Sequence, residues 1–238
     1  DPKSKWNLKK GEKYFLTRND SALIAFITGK DFLNQGFRII SSHTDSPSLK
    51  IKPDPLINNE GLCVLNTEVY GGPILNTWYD RDLSLAGKIV LKSENSFELQ
   101  EELIDLQKKL AVIPNLAIHL NKDVNKDGEI DKKKGLRALI TQNLNQKNNE
   151  NEKDENSEAE SDFNLKKLIS QLTKYQEDQI VELELFLYPA QKAEFIGAGK
   201  EFISAGRQDN LAMVHSALKA LIKSKAAAWT QMAVFYDN

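Results

Sequence analysis

Phe37-Arg38-Ile39-Ile40-Ser41-Ser42-His43-Thr44-Asp45-Ser46-Pro47 passes from apolar to polar in a single step, and that step decides how the chain is read. Phe37 to Ser42 reads as a buried strand by composition and length, ending at His43. A histidine just past a strand end sits where α/β sheets collect their functional groups. From two residues on, the Asp45 carboxylate can reach the far ring nitrogen of His43. A carboxylate so placed sets the tautomer and raises ring basicity, as a metal-binding imidazole requires. The stretch reads as half of a metal site, with the other half expected elsewhere in the chain. Two competing readings stand beside it. One is a hydrogen-bonded structural histidine. The other is a serine nucleophile from Ser42, His43 and Asp45, set aside because no G-x-S-x-G turn is present.

Outward from this stretch the chain alternates strand and helix signals. Lys13-Tyr14-Phe15-Leu16 and Ala22 to Ile27 read as strands around the turn Arg18-Asn19-Asp20-Ser21. The prolines of Lys52-Pro53-Asp54-Pro55 favour an extended connection or domain exit. Further strands are expected at Leu62 to Val69, Lys88 to Lys92, Leu116 to Leu120 and Ile180 to Tyr188. Leu99, Leu103, Leu106 and Leu110 recur at helical spacing and predict a helix over Phe97 to Leu110. Helices are also expected from Leu165 to Gln176 and from near Asn210, followed by a strand over Met232 to Tyr236. That last strand reads as central to its sheet, so the natural protein is expected to continue past Asn238.

Bulk composition narrows the classes. The 238 residues carry a net charge of −2, which argues against a nucleic-acid partner or a membrane surface. No apolar run approaches the ~18 residues of a membrane span. The single cysteine, Cys63, excludes an internal disulfide and a cysteine-rich zinc site, and a cytoplasmic protein is the simplest reading. Residues 147–162 hold seven acidic side chains against two lysines and no large apolar residue, so 143–162 reads as a surface insertion.

Asp209 stands directly before the last helix. Helix capping explains an aspartate there, while a carboxylate held at a helix start can also bridge two metal ions. Asp123-Val124-Asn125-Lys126-Asp127-Gly128-Glu129-Ile130-Asp131 follows the EF-hand loop, but position twelve is Lys134 where calcium needs a bidentate glutamate. A polar turn is the reading preferred. His119 alternates along the expected strand Asn115 to Leu120 and reads as half-buried. His215 reads as a packing residue, and Trp78-Tyr79-Asp80-Arg81-Asp82 as a turn with an internal ion pair.

With these residues in view, the chain resembles the aspartyl aminopeptidase family of cytoplasmic two-zinc metallopeptidases. The stretches that carry the resemblance are Lys13 to Asn19, Ser42 to Pro47, Thr77 to Leu83, Asn115 to Leu120 and Gly206 to Leu211. The resemblance implies an α/β metallopeptidase domain (1–53 and 190–238) interrupted by a β-rich dimerisation domain (54–189) carrying the acidic loop. It implies that His43 ligates one zinc, that Asp45 orients it, and that Asp209 bridges both Zn2+ ions, other divalent metals being possible. His119 would reach into a neighbouring subunit's active site to polarise the scissile carbonyl. Similar enzymes remove N-terminal Asp or Glu from peptides by attack of metal-activated hydroxide, and assemble as homo-oligomers, dimers building a dodecamer. The family usually carries Leu where this chain has Gln208. In similar proteins a Glu-Glu pair follows Asn238, the first the general base and the second a zinc ligand. The remaining Asp and His ligands lie beyond it, and a helical segment precedes Asp1.

Two other classes compete: a calcium-binding or assembly module, and a catalytically silent oligomerisation subunit. The calcium reading is tested by calorimetric titration with Ca2+. Because Lys134 replaces the bidentate ligand, weak binding at most is expected, and a strong signal abolished in Asp127→Ala would overturn the polar-turn reading.

Overall fold

The computed structural model describes residues 5–93, 98–126, 129–142 and 163–237. The acidic stretch 143–162, together with Asp127 and Gly128 of the EF-hand-like loop, lies outside them. In chain order the elements are β1 (Lys13–Arg18), β2 (Ala22–Ile27), the single turn α1 (Phe32–Gln35), β3 (Phe37–His43), β4 (Ser48–Asn59), β5 (Leu62–Tyr70), β6 (Leu83–Lys92), β7 (Leu99–Asp105), β8 (Ala138–Gln142), α2 (Leu165–Leu172), β9 (Ile180–Pro189), β10 (Glu194–Ile196), β11 (Phe202–Ser204), α3 (Gln208–Lys223) and β12 (Thr230–Tyr236). They build a mixed α/β fold in two units, Asp1–Ser46 with Ala193–Asn238, and Pro47–Lys192. The division falls after Ser46, not after Pro53.

In the first unit, Asn19 and Asp20 both adopt positive φ (52° and 56°), a conformation these two residue types tolerate better than most. Their turn closes the β1–β2 hairpin, registered from Lys13↔Ile27 to Arg18↔Ala22. β12 then pairs antiparallel with β2 and parallel with β3, giving the order β1-β2-β12-β3. α3 lays Val214, Ala217, Leu218 and Leu221 against Leu23, Ala233 and Phe235. The Lys13 ammonium donates to the Ile222 carbonyl at 2.5 Å, satisfying one of the carbonyls that a helix C-terminus leaves open. Among the described residues β3 is an edge strand, so the expectation that it is buried is not met there. Ile39 and Ile40 point to opposite faces and each is 58% exposed.

The second unit is a six-stranded sheet in the order β7-β6-β9-β4-β5-β8. Every pairing in it is antiparallel. Leu49, Leu65, Leu83, Leu85, Ile89, Leu185 and Leu187 fill one face, with Leu165 and Ile169 of α2 in the same core. Asn164 caps α2 by accepting the Lys166 amide at 2.8 Å.

Four expectations are corrected here. Leu99 and Leu103 lie in strand β7, which pairs with β6 from Lys92↔Leu99 to Ala86↔Asp105. A spacing of four residues is nearly one helical turn and also an even step along a strand, so it fits both periods. Both leucines point outward, at 64% and 72% exposed, while Ile104 and Leu106 are buried. Leu116 to Leu120 is not a strand: Leu120 and Asn121 amides both donate to the Ala117 carbonyl, closing a turn of exposed residues. Pro53 and Pro55 do not leave the unit but sit inside β4, at the register shift against β5 between Ile51 and Leu56. At the turn after Trp78, Asp82 pairs with Lys109 at 2.7 Å rather than with its neighbour Arg81.

Gly87, at φ 153°, lets β6 and β9 close. A Cβ there would stand 2.1 Å from the Glu184 carbonyl oxygen and 2.9 Å from the Leu185 Cα. Gly87→Ala is expected to destabilise by well over the ~1 kcal/mol typical of a substitution. Gly72→Ala, where the new methyl meets nothing within 4 Å, should stay within about 0.5 kcal/mol. Urea unfolding of the two variants checks this. The Lys50 ammonium, 2.9 Å away, holds the Glu184 carboxyl below its ordinary range, and Asn115 hydrogen bonds do the same for Asp80. Both carboxylates have folded pKa values below their unfolded ones, so their contribution is present at neutral pH. It is lost as pH falls from the ordinary carboxylate range through the lowered values. Thermal midpoints measured across that range should fall more steeply for the native protein than for Glu184→Gln.

Candidate metal centre

The parallel pairing of β3 with β12 runs from Phe37↔Thr230 to His43↔Tyr236, so both strands end at the same edge of the sheet. Beyond that edge the chain turns at Thr44, whose amide donates to the Tyr236 carbonyl at 2.8 Å. The His43 ring then folds back over the next two residues. Its Nδ1 lies 3.0 Å from the Asp45 backbone carbonyl and 3.3 Å from Asp45 Oδ1. A carbonyl has no proton to give, so Nδ1–H is the donor and the lone pair is left on Nε2. The carbonyl, not the carboxylate expected from the spacing, is the nearer acceptor.

Nε2 faces Asp209 Oδ1 at 3.4 Å, although the two residues come from opposite ends of the chain. The His43 side chain is 29% exposed and that of Asp209 93%. Capping does not account for Asp209. The residue before α3 is Arg207, in the left-handed conformation and without a side-chain cap, and Asp209 itself has non-helical φ/ψ of −85° and 108° with a cis peptide to Asn210. The regular helix starts only after Asn210. Gln208 ties this irregular start back to the β11 end, its amide donating to the carbonyls of Ile203 (3.2 Å) and Ala205 (3.4 Å).

Nε2 and a carboxylate oxygen are both acceptors, and two acceptors face one another stably only across a positive charge. Zinc is one such charge: ligands at about 2.1 Å in tetrahedral array stand roughly 3.4 Å apart, and imidazole nitrogen with carboxylate oxygen is an ordinary zinc donor pair. The donor set therefore fits zinc as two ligands of a larger sphere. Among the described residues no group of three or more His, Cys, Asp or Glu side chains stands ready to hold a metal ion.

The sequence carries the same signature along its whole length. The family model for the aminopeptidase I zinc metalloproteases (M18) matches residues 1–238. The chain belongs to the M18 peptidase family. Among relatives, this M18 chain is 42% identical over 237 residues to the "Probable M18 family aminopeptidase 2" of Clostridium novyi, covering 98% of the chain and 52% of that protein. The chain thus spans about half the length of the curated relatives it matches. Among solved structures, the "Cryo-EM structure of the Ape4 and Nbr1 complex" superposes with a TM-score of 0.80 at 32% identity, covering 99% of this chain and 47% of that one. The S. cerevisiae mApe1 dodecamer gives 0.71 at 25% identity, covering 96% and 50%.

Of the residues singled out in the sequence, the structure brings His43, Asp45 and Asp209 of the M18 chain together. His119 belongs to the other unit, exposed on the Ile118–Leu120 turn and not half-buried in a strand. His215 is exposed on α3 and does not pack. In the EF-hand-like loop, Asp123 is held by Lys126 at 2.6 Å, and Asp131 accepts the Lys133 and Lys134 amides, as in an ordinary polar turn. Sequence reading passed over Thr44 and the amide of Gln208. The visible signal for Thr44 was its place between a candidate ligand and its orienting residue.

Proposed function

We propose that this chain is part of a zinc aminopeptidase that removes acidic residues, Asp or Glu, from peptide N-termini. The observation that supports the reading best is the approach of His43 Nε2 to Asp209 Oδ1 at 3.4 Å, with the tautomer already set by Nδ1–H. Membership of a family described as zinc metalloproteases supports the choice of metal.

In this reading His43, through its Nε2 lone pair, and Asp209, through its carboxylate, would hold the two Zn2+ ions together with further ligands. Asp45 holds the ring so that Nε2 faces Asp209. Bound metal would supply Lewis-acid polarisation of the scissile carbonyl and a water of lowered pKa. The high exposure of Asp209 leaves room on its open side for further ligands. His119, with Leu116, Ile118 and Leu120 at 62%, 54% and 69% exposed around it, suits a surface that meets a neighbouring subunit. There His119 would donate a hydrogen bond to the carbonyl under attack. The dodecameric state named for the S. cerevisiae relative supports a homo-oligomer; in this reading it would be built from dimers through Pro47–Lys192. In this reading the substrates are cytoplasmic peptides; no helix among the described residues is long and apolar enough to cross a membrane.

The test uses the full-length polypeptide with Asp-, Glu- and Leu-anilide substrates. Hydrolysis should favour the acidic pair, vanish on chelation and return with Zn2+. His43→Ala and Asp209→Ala should each lower kcat/KM by more than about 100-fold, beyond what loss of an outer-shell partner costs. Undiminished turnover in either variant refutes the role given to that residue.

A further inference from the structure

The side chain between His43 and Asp45 has had no role so far. Thr44 leaves β3 at the sheet edge, and its hydroxyl lies 2.8 Å from the Ser21 carbonyl in the β1–β2 turn. The same hydroxyl lies 3.3 Å from the Tyr236 carbonyl, the last residue of β12, to which the Thr44 amide also donates at 2.8 Å. Both oxygens are carbonyls, so the hydroxyl proton is donated, mainly to Ser21. One residue thus ties the chain after β3 to the neighbouring strand end and to the hairpin turn of the same sheet.

What this anchors is a backbone path. The acceptor nearest His43 Nδ1 is the Asp45 main-chain oxygen, at 3.0 Å, closer than its carboxylate at 3.3 Å. A main-chain acceptor holds the ring only as well as the main chain between the two residues is held. Thr44 is the single residue between them.

We propose that Thr44 is a positioning residue: its hydroxyl clamps the 43–45 backbone to Ser21 and Tyr236, so that the Asp45 carbonyl keeps His43 in the Nδ1–H tautomer with Nε2 free for metal. The proposal rests on the reading of His43 as a metal ligand. Thr44→Val keeps the shape of the side chain and removes the donor, and Thr44→Ser keeps the donor.

The experiment uses the full-length polypeptide, stripped of metal by a chelator and labelled with 15N-histidine. The His43 ring signals are assigned by their loss in His43→Ala and read at alkaline pH. Zinc affinity is measured in parallel by competition with a chromophoric chelator. Wild type and Thr44→Ser should show a protonated Nδ1. Thr44→Val should show mixed tautomers and bind zinc roughly 10- to 100-fold more weakly, the range typical of a lost outer-shell partner. A folded Thr44→Val with either the wild-type ring signature or the wild-type affinity overturns the proposal. Should Val not fold, Thr44→Ala takes its place. If that variant also fails to fold, the clamp serves the fold rather than the ring, and the proposal falls. Unchanged zinc affinity in His43→Ala would instead refute the metal-ligand reading, while the ring signature still decides the clamp.

Discussion

Hydrogen bonds between β3 and β12 hold together strands from the two ends of the chain, and the candidate site depends on them. Their pairing is parallel, so both strands run toward the same edge, with His43 opposite Tyr236. Parallel strands cannot be joined by a tight turn and need a long crossover. Here that crossover contains the entire second unit and then α3, which delivers Asp209 at its irregular first turn. Closing so long a loop costs only modestly more than closing a short one, because the entropic penalty grows with the logarithm of length.

Local geometry at the strand edge turns that juxtaposition into chemistry. The Asp45 carbonyl removes Nδ1 from consideration as a ligand and points Nε2 outward, toward an oxygen that is also an acceptor. Two acceptors facing at 3.4 Å form a place for a cation. Apolar side chains stand open on several strands of the first unit. Phe37, Ile39 and Ile40 on β3, and Phe195, Ile196, Phe202 and Ile203 on β10 and β11, are all 48% exposed or more. In the second unit, by contrast, Leu49, Leu65, Leu83, Leu85, Ile89, Leu185 and Leu187 are inaccessible to solvent.

Much of this was legible in the residues. The hairpin of β1 and β2 was marked by Asn19 and Asp20, which accept positive φ, and β3, β5, β9 and β12 by short apolar runs. The site was legible as a pattern, His43 with Asp45 and a distant Asp209. Misreadings came where one spacing serves two periods. Leu99 and Leu103, four apart, satisfy a helix as well as a strand, and only the pairing with β6 settles which. Leu116 to Leu120 alternates as a strand would, yet the Ala117 carbonyl collects two amides and makes a turn of it. The prolines at 53 and 55 signalled irregularity correctly. They were absorbed as a register shift inside β4, whose pairing with β5 lapses after Ile51 and resumes at Leu56.

The sequence by itself determined which chemistries were available: an imidazole with a carboxylate two residues on, a second carboxylate at a helix start, one cysteine and a net charge of −2. Residue type and near-neighbour spacing are local properties, and they survive in a linear text. The tertiary structure alone decided that Nε2 rather than Nδ1 faces Asp209, that a main-chain oxygen is the nearer acceptor to the ring, and that Thr44 is anchored to Ser21 and Tyr236. Each depends on the approach of groups far apart in the chain, or on a backbone path that no residue type dictates. Such distances arise only when β12 closes against β3.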